Sequence, residues 1–360
     1  MAGVGESSRR IGVGVVGCGY WGMNIVRNII ESSRCRLVAA CDRDPEKLKK
    51  VAQRYPSVVT TQEFGVLLDR ADIAAVFVVT PISSHYPLAN EALLAGKHVF
   101  VEKPLAASVQ EAEKLAATAS ARNLTLMVGH TFEYSPPVRK VKEIIDMGHL
   151  GKIDFITTTR VNLGIHQSDS SVIWDLAPHD FSMLFYWLDE EPKTVSALGR
   201  GFVFSEIPDV AFVNLTFPSG AIANVQLSWL SPCKLRSTTI VGTERMLTYD
   251  DLDPLERVRV FDKGVSIKDP ETFGEFQLTY RTGGITSPVL DNYEPLQEEV
   301  THFADCILNG TPPMTDACSG IRVVRAIELA EMSLKRGGYP VENKALSQSR
   351  PTPKTPVDAR

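Results

Sequence analysis

The chain has 360 residues, 44% of them hydrophobic, which suits about two domains with substantial buried cores. Its 38 Lys and Arg against 43 Asp and Glu give a net charge of −5, so no basic footprint for nucleic acid is present. No signal peptide or membrane-spanning stretch is read in it, and Cys18, Cys35, Cys41, Cys233, Cys306 and Cys318 form neither a zinc framework nor a secreted disulfide scaffold. A reduced cytoplasmic location is the expectation, with no membrane partner.

Residues 11–16, IGVGVV, predict a buried strand, followed by the GCGYWG turn and a helix from Tyr20 to about Glu31. A second strand runs from Leu37 to Cys41 and ends at Asp42; Pro45 suits the start of a helix to Arg54. Strand signals at 72–80, 98–101 and 124–128 then alternate with helical patterns at 84–95 and 108–122. One helix between successive strands favours parallel pairing with helices on both sheet faces.

After Gly151 the pattern changes. Residues 153–161, 195–204, 210–217, 221–230, 236–241 and 245–249 read as hairpin-spaced strands, which favours a predominantly antiparallel sheet. Helices are expected at 136–147, 175–188, 294–309 and 318–336, the last two packing back toward the first domain. Residues 343–360, with Pro351, Pro353 and Pro356, are expected to form a disordered tail. The fold class is therefore α/β: a Rossmann dinucleotide-binding domain over 10–130, then an α+β domain over 131–340 with a large, open, mostly antiparallel sheet for substrate binding and oligomerisation.

The sharpest local signal is Gly17-Cys18-Gly19-Tyr20-Trp21-Gly22 between a strand and a helix. Gly17 permits the tight turn, Gly19 the approach of a pyrophosphate, and Gly22 close helix packing; helix N–H groups stabilise the phosphates. Asp42 lies twenty positions past the last glycine, where a carboxylate accepts from ribose hydroxyls and repels the extra phosphate of NADP. NAD is the expected cofactor, with NADP as the alternative because Arg43 stands beside Asp42. Thr80 and Pro81, at a strand's C-terminal end, are placed on the nicotinamide side. His85 opens the next helix and is grouped with the cofactor residues, outside the catalytic set.

Glu102-Lys103-Pro104 again follows a strand. An ammonium there favours a substrate alkoxide over its alcohol, and Glu102 either orients Lys103 or meets the cofactor ribose. In Trp174-Asp175-Leu176-Ala177-Pro178-His179-Asp180, Pro178 suits a first helical turn, and Asp175 and His179 stand i,i+4 on one face. The carboxylate is then expected to orient the imidazole while His179 accepts the alcohol proton. The alternative has Asp175 capping the helix and His179 in a structural contact.

These three motifs, together with GHTFEYSPPV at 129–138 and the late GIRVVRAIELAEMSLKRG, closely resemble the Gfo/Idh/MocA oxidoreductase family over roughly residues 10–340. The resemblance implies Lys103, Asp175 and His179 as the catalytic set, with Gly17, Gly19, Gly22, Asp42, Thr80, Pro81 and Glu102 facing the cofactor. It also brings His130, Phe132 and Tyr134 toward substrate and nicotinamide. Arg160 and Asn162, ending the first strand of the second domain, and His166 in a polar loop are further substrate candidates, Arg160 having a structural ion pair as its alternative. No metal is required. The implied reaction is hydride transfer between NAD and a ring secondary alcohol of a sugar. VIWDLAPHDFSMLFYWL resembles relatives acting on nucleotide-linked sugars or aminosugars, which suggests oxidation at C3. The alternatives are an inositol or free-sugar dehydrogenase, a 3-keto-sugar reductase, and a NAD-binding sensor without turnover. A homodimer or homotetramer is expected from the open sheet.

Overall fold

The computed structural model describes residues 10–164, 166, 170–268 and 277–348. The first half runs β1 (Ile11–Val16), α1 (Tyr20–Glu31), β2 (Cys35–Cys41), α2 (Pro45–Arg54), β3 (Val59–Thr61), α3 (Gly65–Leu68), β4 (Ala75–Val78), α4 (His85–Leu94), β5 (His98–Glu102), α5 (Val109–Ala121) and β6 (Leu126–Gly129). All six strands are parallel, in the order β3-β2-β1-β4-β5-β6. The order reverses between β1 and β4, which opens a crevice outside their C-terminal ends.

Winding the sheet in two directions leaves one face half bare. α1 and α2 share one apolar cluster with β1 and β2, while α4 and α5 share the opposite cluster with β4 to β6. The bare half, over Phe77 and Phe100, is filled from the far end of the chain. There α8 (Pro295–Asn309) sets Phe303 against both rings, at 5.2 and 5.8 Å between centroids.

The second half runs α6 (Pro136–Asp146), β7 (Ile153–Leu163), α7 (Val172–Leu188), β8 (Thr194–Arg200), β9 (Val210–Thr216), β10 (Ile222–Ser228), β11 (Leu230–Gly242), β12 (Met246–Asp250), β13 (Val258–Lys268) and β14 (Gln277–Thr286). After α8 come α9 (Ala317–Lys335), β15 (Val341–Glu342) and the short α10 (Ala345–Gln348). The sheet order is β14-β13-β12-β11-β7-β10-β9-β8-β15, antiparallel at every junction except β7–β10. Strand alternation sends Val195, Ala197, Val213, Val225, Leu227 and Ile240 inward against α7 and α9. The other face exposes Phe155, Leu198, Phe212 and Ile222. Gly320 brings α9 onto the first domain: a Cβ there would lie 2.7 Å from Val128 Cγ2.

Four expectations need correction. The helix expected from 175 starts at Val172, so Pro178 is interior and supplies no N–H to the Trp174 carbonyl one turn back. The strand expected over 195–204 stops at Arg200, because the buried Asp209 carboxylate accepts from the Phe202 and Val203 amides and turns the chain away. β3, β13, β14 and β15 were not expected. Finally, the tail does not begin at 343: Asn343 is buried, its side-chain amide donating to the Pro192 carbonyl at 3.1 Å. Residues 349–360 lie outside the described residues.

Candidate active site

The glycine turn joins β1 to α1 in a backbone conformation open to few residues. Gly17 has φ +97°, and a Cβ at Gly22 would sit 2.0 Å from the Gly17 carbonyl oxygen, so neither position tolerates a side chain. The N-cap of α1 is Gly19, no side chain caps the helix, and its first turn carries no acidic residue. The first-turn N–H groups of α1 are thus left without a side-chain acceptor. Beyond β2, Asp42 Oδ2 accepts from Cys18 N at 2.7 Å and Oδ1 from Asp44 N at 2.9 Å, which ties this carboxylate to the turn. Lys47 Nζ stands 3.7 Å from Asp42, and Arg43 is exposed beside it.

A cleft of about 860 Å³ opens at the C-terminal ends of β4 to β6 and is roofed by α7 and β11. Tyr20 and Trp21, both exposed, flank it on one side, and Thr80 lines it at the end of β4. Pro81 starts a short 3-10 turn, held by Ser84 Oγ donating to the Pro81 carbonyl at 2.7 Å. Glu102 is buried at the end of β5 and accepts from the Trp21 indole and from Lys103 N. Burial pushes its carboxyl up to about 7, against the opposing pull of Trp21 and Lys103. The next peptide bond, Lys103–Pro104, is cis.

Lys103 reaches across the cleft to α7, donating from Nζ to the Asp175 carbonyl at 2.8 Å and facing Asp175 Oδ1 at 3.5 Å. Asp175 Oδ2 is taken by the Trp229 indole N–H at 3.1 Å. The expected Asp175–His179 bond is therefore absent. Spacing on one helix face makes that pair available, but donors from Lys103, just past β5, and from the β10–β11 turn occupy the carboxylate. His179 Nδ1 is buried without a partner, and its ring meets Phe132 edge-on at 5.0 Å. Burial, then the cations of Lys103, Arg160 and Arg236, hold the imidazole well below its ordinary range. His179 is neutral near pH 7, as a proton acceptor must be.

Lys103, Asp175, His179, Phe132, Glu102, Thr80, Tyr20 and Trp21 converge on this cleft; several other candidates do not. Tyr134 is fully buried with its hydroxyl 3.1 Å from Thr315 Oγ1, a core residue under α8. Arg160 takes its structural alternative: its Nε donates to Asp180 at 2.6 Å, and its guanidinium lies 4.6 Å from the Phe132 ring centroid. His85 is buried with ring nitrogens 2.8 Å from the Pro104 carbonyl and 2.7 Å from the Thr80 carbonyl, so it braces two cleft segments from below. His130 is buried, both nitrogens unpartnered, and pushed down to about 3 by burial and by Lys103 and Arg322. Asn162 is half-buried outside the cleft lining. His166 packs against Trp229 at 5.4 Å, with Nε2 3.7 Å from Asp209.

The sequence reading missed Arg236, Asp251 and Arg257, which line the opposite wall. Arg236 pairs with Asp251 at 3.2 Å, and Arg257 Nε donates to the Asp253 carbonyl at 3.2 Å. A signal existed for the first: in the expected strand 236–241, Arg236 shares the parity of the buried Thr238 and Ile240. Arg257 lies where no element was expected.

Residues 11–130 match the family model of an oxidoreductase family with an NAD-binding Rossmann fold, GFO_IDH_MocA, and residues 138–248 match the GFO/IDH/MocA C-terminal domain. The scyllo-inositol 2-dehydrogenase (NAD(+)) of Bacillus subtilis (strain 168) is 26% identical, over 91% of this chain and 95% of that one. The UDP-N-acetylglucosamine 3-dehydrogenase of Acidithiobacillus ferrooxidans is also 26% identical, over 87% of this chain and 94% of the relative. Among solved structures, GenD2 from gentamicin A biosynthesis, in complex with NAD, shares the fold with a TM-score of 0.78 at 24% identity, covering 95% of this chain and 99% of that one. No helix among the described residues is long and apolar enough to cross a membrane.

Proposed function

The chain belongs to the Gfo/Idh/MocA oxidoreductase family, and from that premise we propose that it transfers hydride between NAD and the C3 hydroxyl of a nucleotide-linked sugar. The observation that carries the chemistry is the meeting of Lys103, from the end of β5, with Asp175 and His179 on α7 in one cleft. The turn fits the cofactor: Gly17 and Gly22 leave room for no side chain, and nothing lies within 4 Å of a Cβ built on Gly19. NAD, when bound, supplies the hydride acceptor. His179 takes the hydroxyl proton, and Lys103 Nζ donates to the oxygen as negative charge grows on it. Asp175 holds Lys103 in place. Reduction uses the same groups in reverse, so a 3-keto-sugar reductase is chemically equivalent.

Arg257 favours an anionic handle on the sugar over a free cyclitol, since a guanidinium on the cleft wall matches a phosphate group. The relative acting on UDP-N-acetylglucosamine supports the ring position. The test follows nicotinamide reduction with NAD and a panel of UDP-sugars, the corresponding free sugars and inositols. Turnover confined to the UDP-sugars is expected. Turnover of the inositols alone overturns the substrate, and NAD binding without any turnover favours the sensor.

Cofactor preference follows from Asp42. Calorimetry at equal ionic strength should give a lower Kd for NAD than for NADP, because the carboxylate repels the additional phosphate. Asp42→Ala should weaken NAD and narrow the gap, having lost both the ribose acceptor and the tie to Cys18 N. Tighter NADP binding by the unaltered protein would show that Arg43 and Lys47 govern instead.

We also propose that the open sheet face joins two copies of the chain. Phe212 lies between Leu198 and Gln226 in register, with Ile222 and Phe155 on the same exposed surface. Sedimentation at micromolar concentration should show a dimer or tetramer, and Phe212→Glu combined with Ile222→Glu should yield monomer. A monomeric unaltered chain rejects this arrangement.

A further inference from the structure

Trp229 is fixed more firmly than a residue filling a core requires. It lies in the turn between β10 and β11, 1% exposed. Its N–H donates to the Asp209 carbonyl at 2.9 Å, and its carbonyl accepts from Gly164 N at 2.9 Å. A Cβ on Gly164 would sit 2.7 Å from the indole Cδ1, so only glycine lets the ring occupy this position. The His166 ring closes the remaining side. The product of these constraints is one N–H pointing at Asp175 Oδ2.

We infer that Trp229 is a positioning residue that commits Asp175 to Lys103 and withholds it from His179. A carboxylate turns through a broad, nearly two-fold torsion, and a lysine ammonium is a point charge that does not fix that turn. The indole is a donor only, with a single direction. With Oδ2 held there, Oδ1 faces Lys103, and the i,i+4 neighbour His179 is left without an anionic partner. The other groups that bear on the imidazole are Lys103 just past β5, Arg160 (paired to Asp180) from β7, Arg236 from β11, and the buried His130 after β6. Two carboxylates accompany these cations, Asp180 paired to Arg160 and Asp251 paired to Arg236, and both are held by guanidinium groups, so Asp175 is the carboxylate left to turn toward the imidazolium. The inference rests on the proposed chemistry for its catalytic meaning; the contact it describes is independent of that chemistry.

The decisive variant is Trp229→Phe, which keeps an aromatic ring and removes the donor. The titration of the His179 ring, followed by NMR and assigned with His179→Asn, should move to higher pH by about one unit. It should not move when Asp175→Asn is also present. This measurement needs no substrate, so it decides the inference even if the panel of sugars shows no turnover. With an active substrate, kcat should fall by up to about 10²-fold through a misplaced Lys103, its acid limb should move up with the imidazole, and the Kd for NAD should stay within twofold. Gly164→Ala, which retains the indole but displaces its Cδ1 edge, should shift the same titration and replaces Trp229→Phe if that variant does not fold. An unmoved His179 titration in either folded variant overturns the inference. So does an equal shift in the presence and absence of the Asp175 carboxylate.

Discussion

Lys103→Met should slow hydride transfer by about 10²–10⁴ in a single turnover, roughly 3–5 kcal/mol at the barrier, while NAD stays bound. Methionine keeps much of the stem and removes the ammonium that faces Asp175 and the cleft. The loss falls on the transition state, because the alcohol is neutral when it binds and gains negative charge as its proton leaves. The same substitution removes a cation that depresses His179, so the imidazole should titrate at higher pH in the variant. Asp175, 31% exposed at its side chain, can take water in place of the ammonium, and thermal unfolding should change little. The Kd for NAD, set by the glycine turn, should move by less than about threefold. Near-normal transfer by the folded, NAD-binding variant would remove Lys103 from the chemistry.

For His179→Asn a loss of similar size is expected, about 10²–10⁴, with a different signature. In the unaltered enzyme the base is active when neutral. Its pKa is lowered by burial and by neighbouring cations, so oxidation should persist as pH falls through 6.5, the ordinary imidazole value. The rate should decline only well below it. Asparagine neither titrates nor accepts the proton, so the variant's residual rate should show no such limb and should rise with hydroxide. The pH dependence of single-turnover rates checks both statements. A normal acid limb in the variant would assign the proton to another group.

The cofactor half was largely legible because its information is local. Strand, glycine turn and helix follow one another within Ile11–Glu31, and the central strands β1 and β4 are apolar runs, whereas β3, Val-Thr-Thr at the sheet edge, carries no such signal. Lys103, Asp175 and His179 were legible as short motifs. The connections among them were not. Spacing along α7 points Asp175 at His179, yet the donors that hold it arrive from residues 103 and 229, brought near by sheet register. Arg160 and Tyr134 carry polar atoms that suit a sugar, and only packing shows them facing Asp180 and Thr315. β13 and β14 escaped notice because charged residues interrupt them and few of their described side chains are buried, which erases the alternation that marks a half-buried strand.

The helix that carries Phe303 has a consequence for how the protein is made. Phe77 and Phe100 belong to strands synthesised in the first third of the chain, but the ring that covers them emerges about two hundred residues later. Until then the nucleotide-binding sheet exposes an aromatic patch on the face beside α1. In a chain cut short near residue 130 the two rings lack this cover, and closing so long a loop costs entropy that the packing of Phe303 offsets only when α8 docks. The first half is completed by the last helices, and a cut between them would leave the cofactor sheet joined to part of its own core by packing alone.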